Sequence, residues 1–254
     1  MNDAQATVDA QPHWYHTMEL APGVVTPGWF DLRGIIDRMP WPDVAGKCCL
    51  DVGTYDGQLA FELERRGAAE VVAVDLSDHS EWDWPVRLRE RGPEVLAQIA
   101  GPEKGRGFEI AHELLGSKVE RVARSVYDLS PDAVGEFDVV VCGSLMLHLQ
   151  DPIRALRAIR SVCREHFLSA ETIVPGTGPA SAVLDGVSDL CQWWTPNRAG
   201  HRRMVEAAGF EVLEQTEPYH VAFGPAHPPT GGRGRIFGKR SGGVLHAAVL
   251  ARPT

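Results

Sequence analysis

The stretch Leu50-Asp51-Val52-Gly53-Thr54-Tyr55-Asp56-Gly57 decides the fold of this chain. The run Cys48-Cys49-Leu50-Asp51-Val52 reads as a buried strand. Gln58 to Arg66 reads as a helix, with Leu59, Ala60 and Leu63 on one face and Gly67 just past its end. Between them Gly53 and Gly57 permit a sharp turn and a close approach of backbone to ligand. Val71-Val72-Ala73-Val74 is a second buried strand, ending in Asp75. A strand, a glycine turn, a helix and another apolar strand make a parallel unit, whose ligands bind at the carboxyl ends of its strands.

Outward from this unit the pattern repeats. Helices are expected over about 86–99 and 106–116, and further strands near 119–122, 137–142, 166–170, 210–213 and 244–251. Asp151 caps a helix with Pro152 in its first turn, and Asn197 to Ala208 is a helix closed by Gly209. The expected fold class is α/β. It is a Rossmann-like, doubly wound, mostly parallel seven-stranded sheet whose last strands form an antiparallel C-terminal edge hairpin. Residues 1–46 read as an N-terminal tail, disordered to about residue 11, and an aromatic entry segment; residues 47–254 form the main domain.

The spacing Asp-x-Gly-x-x-x-Gly differs from the dinucleotide pattern Gly-x-Gly-x-x-Gly, because Thr54 and Tyr55 fill the middle. The preceding acid, Asp51, suits a cationic ligand better than a pyrophosphate. Asp75 stands where a carboxylate accepts hydrogen bonds from ribose hydroxyls. A nucleoside with a cationic amino-acid end describes S-adenosylmethionine; a plain nucleotide site or a purely structural turn is the alternative.

The 254 residues carry 25 Lys+Arg against 34 Asp+Glu, for a net charge of −9. Proteins that hold a polyanion usually show the opposite balance, so nucleic acid is an unlikely partner. No apolar run is long enough to span a bilayer, and the first residues lack a secretory pattern. The 5 Cys, without a Cys-x-x-Cys pair, read as reduced thiols of a cytoplasmic protein. No His/Cys/Asp/Glu group has metal-site spacing.

These motifs resemble the class I methyltransferases that use S-adenosylmethionine. Within them the chain is most similar to the branch of tRNA wobble-uridine carboxymethyltransferases and their shorter relatives. That likeness is carried by Leu50 to Gly53 with Gly57, Gly143-Ser144-Leu145-Met146-Leu147-His148 with Asp151-Pro152, Glu171-Thr172, Pro196-Asn197 and Ala208-Gly209-Phe210. The resemblance implies that Gly53 and its neighbours hold the methionine end, Asp75 the ribose and Leu76 the adenine. It places Ser125 and Val126 at the adenine edge, and the carbonyls of Cys142 and Gly143 at the ammonium group. The Lys, Tyr and Arg by which the resemblance says that branch reads a carboxylated cofactor are missing: Leu147 stands at the Tyr position, His246 at the Arg position, and no Lys precedes Lys47. Ordinary methyl transfer to a small molecule, at oxygen, follows.

A hydroxyl acceptor calls for a general base. His148 is the first candidate and His246 the second, with Glu171 as an orienting acid. Tyr15, His16, Trp29, Trp82, Trp193, Trp194 and Arg235 are the expected substrate contacts. The basic residues gather at 201–203 and 233–240, which marks where a small anionic group would bind. A binding module without turnover and a tRNA methyltransferase remain as other readings.

Overall fold

The computed structural model describes residues 2–101, 104–188, 191–228 and 242–254. The strands are β1 Glu19–Ala21, β2 Val24–Val25, β3 Phe30–Asp31, β4 Cys48–Val52, β5 Glu70–Asp75, β6 Glu120–Ala123, β7 Phe137–Gly143, β8 Cys163–Thr172, β9 Ala182–Leu184, β10 Trp194–Pro196, β11 Phe210–Gln215, β12 Tyr219–Phe223 and β13 Gly243–Pro253. The helices are α1 Asn2–Ala10, α2 Gln58–Arg65, α3 Val86–Arg89, α4 Pro93–Ala100, α5 Arg106–Leu115, α6 Pro131–Val134, α7 Pro152–Val162 and α8 Arg198–Ala207.

The main sheet runs β3-β12-β13-β8-β7-β4-β5-β6, with β11 also pairing with β13. Strands β4 to β8 are parallel to their neighbours within that group. Alternate side chains feed two apolar layers. Cys49, Ala73, Val139 and Leu168 face α2, α5 and the N-terminal segment. Leu50, Val72, Val140 and Phe167 face α7 and α8. Strand order reverses between β4 and β7, and this switch point opens a crevice at their carboxyl ends.

The sheet has nine strands, against an expected seven. The two extra are β12, whose short alternating pattern lies beside the Gly/Pro-rich stretch, and β3, two residues long. The C-terminal strands pair antiparallel beside the parallel group, as expected, with β11 on the outer side of β13. β13 lies between β8 on one side and β11 and β12 on the other, so it is an interior strand. Its apolar run, Ala247 to Val249 fully buried, suits that place.

Residues 2–10 form a helix rather than a disordered tail, because Val8 is buried and its carbonyl accepts from Trp14 Nε1 at 3.1 Å. The expected helix over 86–99 breaks in two at Gly92-Pro93, where proline cannot continue the hydrogen-bond ladder. The N-terminal segment shares the core of the sheet. Phe30 and Asp31 extend the sheet beyond β12. Gly28 lies so close to the backbone of His16 that a Cβ would sit 2.1 Å from the His16 carbonyl carbon. Only glycine lets these two passes of chain touch.

Candidate active site

β4 delivers the chain into the turn 53–57, where Gly57 has φ +95° and begins α2. Tyr55 takes φ +51°, unusual for a residue with a side chain. Its N–H donates to Asp75 Oδ2 at 2.8 Å and its hydroxyl to the Ala100 carbonyl at 2.7 Å. The Tyr55 ring therefore leans across toward α4 instead of filling the turn. Asp75 also accepts from Leu76 N–H at Oδ1 and from Lys104 Nζ at Oδ2, both at 2.8 Å. The Lys104 ammonium is 4.7 Å from the Tyr55 ring centre and 5.1 Å from that of Trp82.

Above the switch point lies a cavity of about 1030 Å³. One half is walled by Gly53, Asp75, Leu76, Ser125, Val126 and Gly143. The other half is aromatic, with Tyr15, Trp29, Phe30, Phe223 and His227 around it. These rings pack on one another: Phe30 is 5.1 Å from Tyr15 and 5.3 Å from His227, and Phe223 is 3.9 Å from His227. His16, Trp82 and His148 complete the wall. The structure thus gathers most of the expected cofactor residues and most of the expected substrate residues around one space.

Other expected residues stand behind the wall. Asp51 is buried under the turn, its Oδ2 without a partner, and burial pushes its carboxyl up to about 7. A strand alternates its side chains, so Asp51 points to the face opposite Val52, which does reach the cavity. Thr54 and Cys142 are likewise buried, and burial pushes the Cys142 thiol upward. Gly57 shapes the turn without reaching the wall. His246 is held on both nitrogens. Nδ1 donates to the Val244 carbonyl at 3.0 Å, and Nε2 lies within hydrogen-bond distance of the Thr172 and Ser144 hydroxyls, at 3.2 and 3.1 Å. Burial lowers it to about 4, so it is a neutral strut under the sheet. Trp193 and Trp194 turn outward to tie loops together, donating to the carbonyls of Asp83 and Gln150.

Glu171 is the last but one residue of β8 and is fully buried. Its Oε1 accepts from the N–H of Leu145 at 3.0 Å and of Met146 at 3.1 Å, while Oε2 has no partner. It braces the loop after β7 from beneath. Burial raises its carboxyl from the ordinary 4.5 to about 7. A group more basic folded than unfolded stabilises the fold least once it must ionise, so stability falls as pH rises from about 4.5 to about 7. We expect Glu171→Gln, which keeps the acceptor oxygen, to reduce the loss of Tm between pH 5 and pH 8 by about 3 °C or more. Asp51 contributes a slope of the same sign that Glu171→Gln leaves in place. Melting curves that change with pH as the wild type's do would refute this role.

The basic cluster at 201–203 lies on α8, away from the cavity wall. His201 is buried against Ser169 Oγ, and Arg202 and Arg203 both pair with Glu206. The second cluster, with Arg235, lies outside the described residues. Among the described residues no His/Cys/Asp/Glu group is arranged to hold a metal ion, and no helix is long and apolar enough to cross a membrane.

Two residues central to the site escaped the motif reading. Asp56 was visible as an acid just ahead of α2, yet its role depends on a partner 40 residues away. It accepts from the N–H of Tyr15 at 2.9 Å and of His16 at 2.8 Å, and from His16 Nδ1. Lys104 belongs to no motif, and nothing local marks it as the partner of Asp75.

A family model described as a methyltransferase domain matches residues 31–215. The chain belongs to this methyltransferase-domain family. Among curated relatives, a ubiquinone biosynthesis O-methyltransferase of Neisseria meningitidis serogroup C is 29% identical over 192 residues, covering 70% of each chain. Another of that name, from Marinobacter nauticus, is 28% identical over 121 residues, 48% of this chain and 41% of the relative. The chain thus spans between two fifths and seven tenths of these relatives' lengths.

Solved structures share the fold. The N-terminal domain of EvdMO1 with S-adenosylhomocysteine bound has a TM-score of 0.58 at 16% identity, covering 100% of this chain and 97% of that one. The Burkholderia thailandensis 1,6-didemethyltoxoflavin-N1-methyltransferase has a TM-score of 0.51 at 17% identity, covering 83% and 72%. The Rossmann-like architecture of this methyltransferase domain is that of its neighbours.

Proposed function

We propose that this chain transfers the methyl group of S-adenosylmethionine to a hydroxyl oxygen of a small, flat acceptor, with a histidine taking the proton. The observation that carries the reading is the single cavity in which a carboxylate-and-glycine half adjoins an aromatic half. A curated relative named as an O-methyltransferase supports oxygen as the acceptor atom.

S-adenosylmethionine fits the first half by the chemistry of its donors and acceptors. A carboxylate has about four lone-pair positions, and Asp75 uses three of them on Tyr55, Leu76 and Lys104. One ribose hydroxyl has a free position, and a second takes the one held by Lys104. Leu76 and Val126 would flank the adenine, Ser125 its edge, and Gly53 and Gly143 the methionine end. The bound cofactor supplies a methyl group on a positively charged sulfur, a good leaving group. The chain's own residues then align the acceptor oxygen with that carbon and shut out water, which is the larger part of such catalysis.

Four histidines line the cavity, His13, His16, His148 and His227, and two of them, His16 and His148, have Nδ1 held so that Nε2 is the nitrogen with a lone pair. His148 Nδ1 donates to the Cys191 carbonyl at 2.7 Å, which leaves Nε2 as the nitrogen with a lone pair. Burial lowers its pKa and keeps the ring neutral. The aromatic rather than basic wall favours a small molecule over tRNA, so we take the likeness to the wobble-uridine enzymes as one of scaffold. The five cysteines are free thiols, in keeping with a cytoplasmic setting.

Titration calorimetry with S-adenosylmethionine and with NAD⁺, followed by a panel of phenols, catechols and aliphatic alcohols, tests the reading. We expect binding of the first cofactor only and transfer to hydroxylated aromatic rings. Binding of NAD⁺ in its place would sink the proposal, and cofactor binding without transfer to any acceptor would leave a binding module.

A further inference from the structure

His16 and Asp56 come together from distant parts of the chain. The Asp56 carboxylate is buried and contacts His16 Nδ1 through Oδ1, while Oδ2 accepts the N–H groups of Tyr15 and His16. A carboxylate can only accept, so the neutral ring carries its proton on Nδ1. His16 also lines the cavity, and the nitrogen left for the cavity is Nε2 with its lone pair. This is the pairing in which a carboxylate fixes the tautomer of an imidazole and stabilises the imidazolium when a proton arrives.

The backbone that carries the ring is held on both sides. The Thr26 hydroxyl donates to the His16 carbonyl at 2.6 Å, and the neighbouring N–H of Thr17 donates to the Phe30 carbonyl at 2.8 Å. The Tyr15 ring stands edge-on at 4.9 Å. Preorganisation of this kind is what a proton acceptor needs. His148 differs: its Nδ1 meets a carbonyl dipole, which stabilises an imidazolium less than a full negative charge does.

We infer that His16, oriented by Asp56, is the general base of the transfer. This rests on the O-methylation reading. The acceptor oxygen forms its bond to the methyl carbon as the carbon–sulfur bond breaks, and that electron pair returns to sulfur, leaving a neutral thioether. The hydroxyl proton passes to His16 Nε2, and the imidazolium, facing Asp56, releases it to water after the products leave. The charged groups facing His16 are Asp56 from the turn and Asp51 from β4.

The test compares His16→Asn, Asp56→Asn and His148→Asn in the full chain. Calorimetry with S-adenosylmethionine and melting curves serve as checks on folding. We expect His16→Asn to lower kcat about 100-fold or more and to abolish the acidic limb of the pH–rate profile. Cofactor affinity should stay within about 3-fold, and added imidazole should restore part of the activity of His16→Ala. Asp56→Asn should lower kcat in the same direction, and His148→Asn should keep the acidic limb. A wild-type ¹⁵N spectrum of labelled histidine should place the His16 proton on Nδ1. An acidic limb that survives in His16→Asn and vanishes in His148→Asn overturns the assignment in favour of His148. A His16 proton on Nε2 overturns it independently of turnover. A wild-type chain that binds the cofactor and methylates no acceptor fails earlier, at the O-methylation reading, and takes this inference down with it.

Discussion

Asp75→Ala is expected to weaken binding of S-adenosylmethionine at least about 100-fold, the largest loss of any single change on the cavity wall. Hydrogen bonds to a charged group contribute about 1.5–3 kcal/mol each, and the ribose offers two hydroxyls to this carboxylate. The substitution has a second effect that must be separated from the first. Lys104 has only 5% of its side chain exposed and meets Asp75 at 2.8 Å, so removing the carboxylate leaves a buried cation alone. The N–H groups of Tyr55 and Leu76 lose their acceptor as well. Melting curves should therefore fall for Asp75→Ala. Asp75→Asn retains an acceptor oxygen for the backbone and should fall less, while still losing most of the affinity. Calorimetry that finds Asp75→Ala binding within about 3-fold of wild type would remove Asp75 from the ribose site.

Gly57→Ala should cost stability on the order of 4 kcal/mol. Two penalties add. The backbone at φ +95° disfavours any side chain, and the new Cβ would lie 2.2 Å from the Phe61 ring. Phe61 has no room to retreat, since it is buried and stacks on Phe108 at 5.1 Å. A fall in Tm of about 8 °C or more is expected, at roughly 2–4 °C per kcal/mol for a chain of this size. Gly116→Ala is the control. Its φ is +60° with nothing within 4 Å of the new Cβ, so only the backbone term of about 1–2 kcal/mol applies. Equal losses in the two variants would show that the ring contact is unimportant.

The sequence read well wherever a contact is local. β4, the glycine turn, α2 and β5 are set by runs of a few residues, and Asp75 follows from the end of the second strand. The Asp151 cap was legible for the same reason: its side chain accepts from Arg154 N–H, three residues on, at 3.0 Å. Short apolar strands hid their neighbours. β13 looks the same whether it ends a hairpin or fills an interior slot, because periodicity reports burial and not adjacency. β12 was lost beside a stretch of glycine and proline, and β3 is too short to show a period. The tryptophans misled for a related reason. A ring on a loop near the crevice has two directions open to it, and the N–H acceptors at Asp83 and Gln150 decided that Trp193 and Trp194 face away.

By itself the sequence determined a doubly wound α/β sheet, the glycine turn after its first parallel strand and the acid at the end of the second. Those features depend on residue types within one strand–turn–helix unit, where chain connectivity already fixes geometry. The tertiary structure alone decided which histidines reach the cavity and which of them meets a carboxylate. His246 is spent on a hydroxyl pair and a carbonyl, whereas His16 is brought by the N-terminal segment onto Asp56, 40 residues away. It also placed Lys104 on Asp75, 29 residues apart. A hydrogen bond between residues so distant leaves no period and no spacing in the sequence, because its geometry comes from the packing of whole elements around the core.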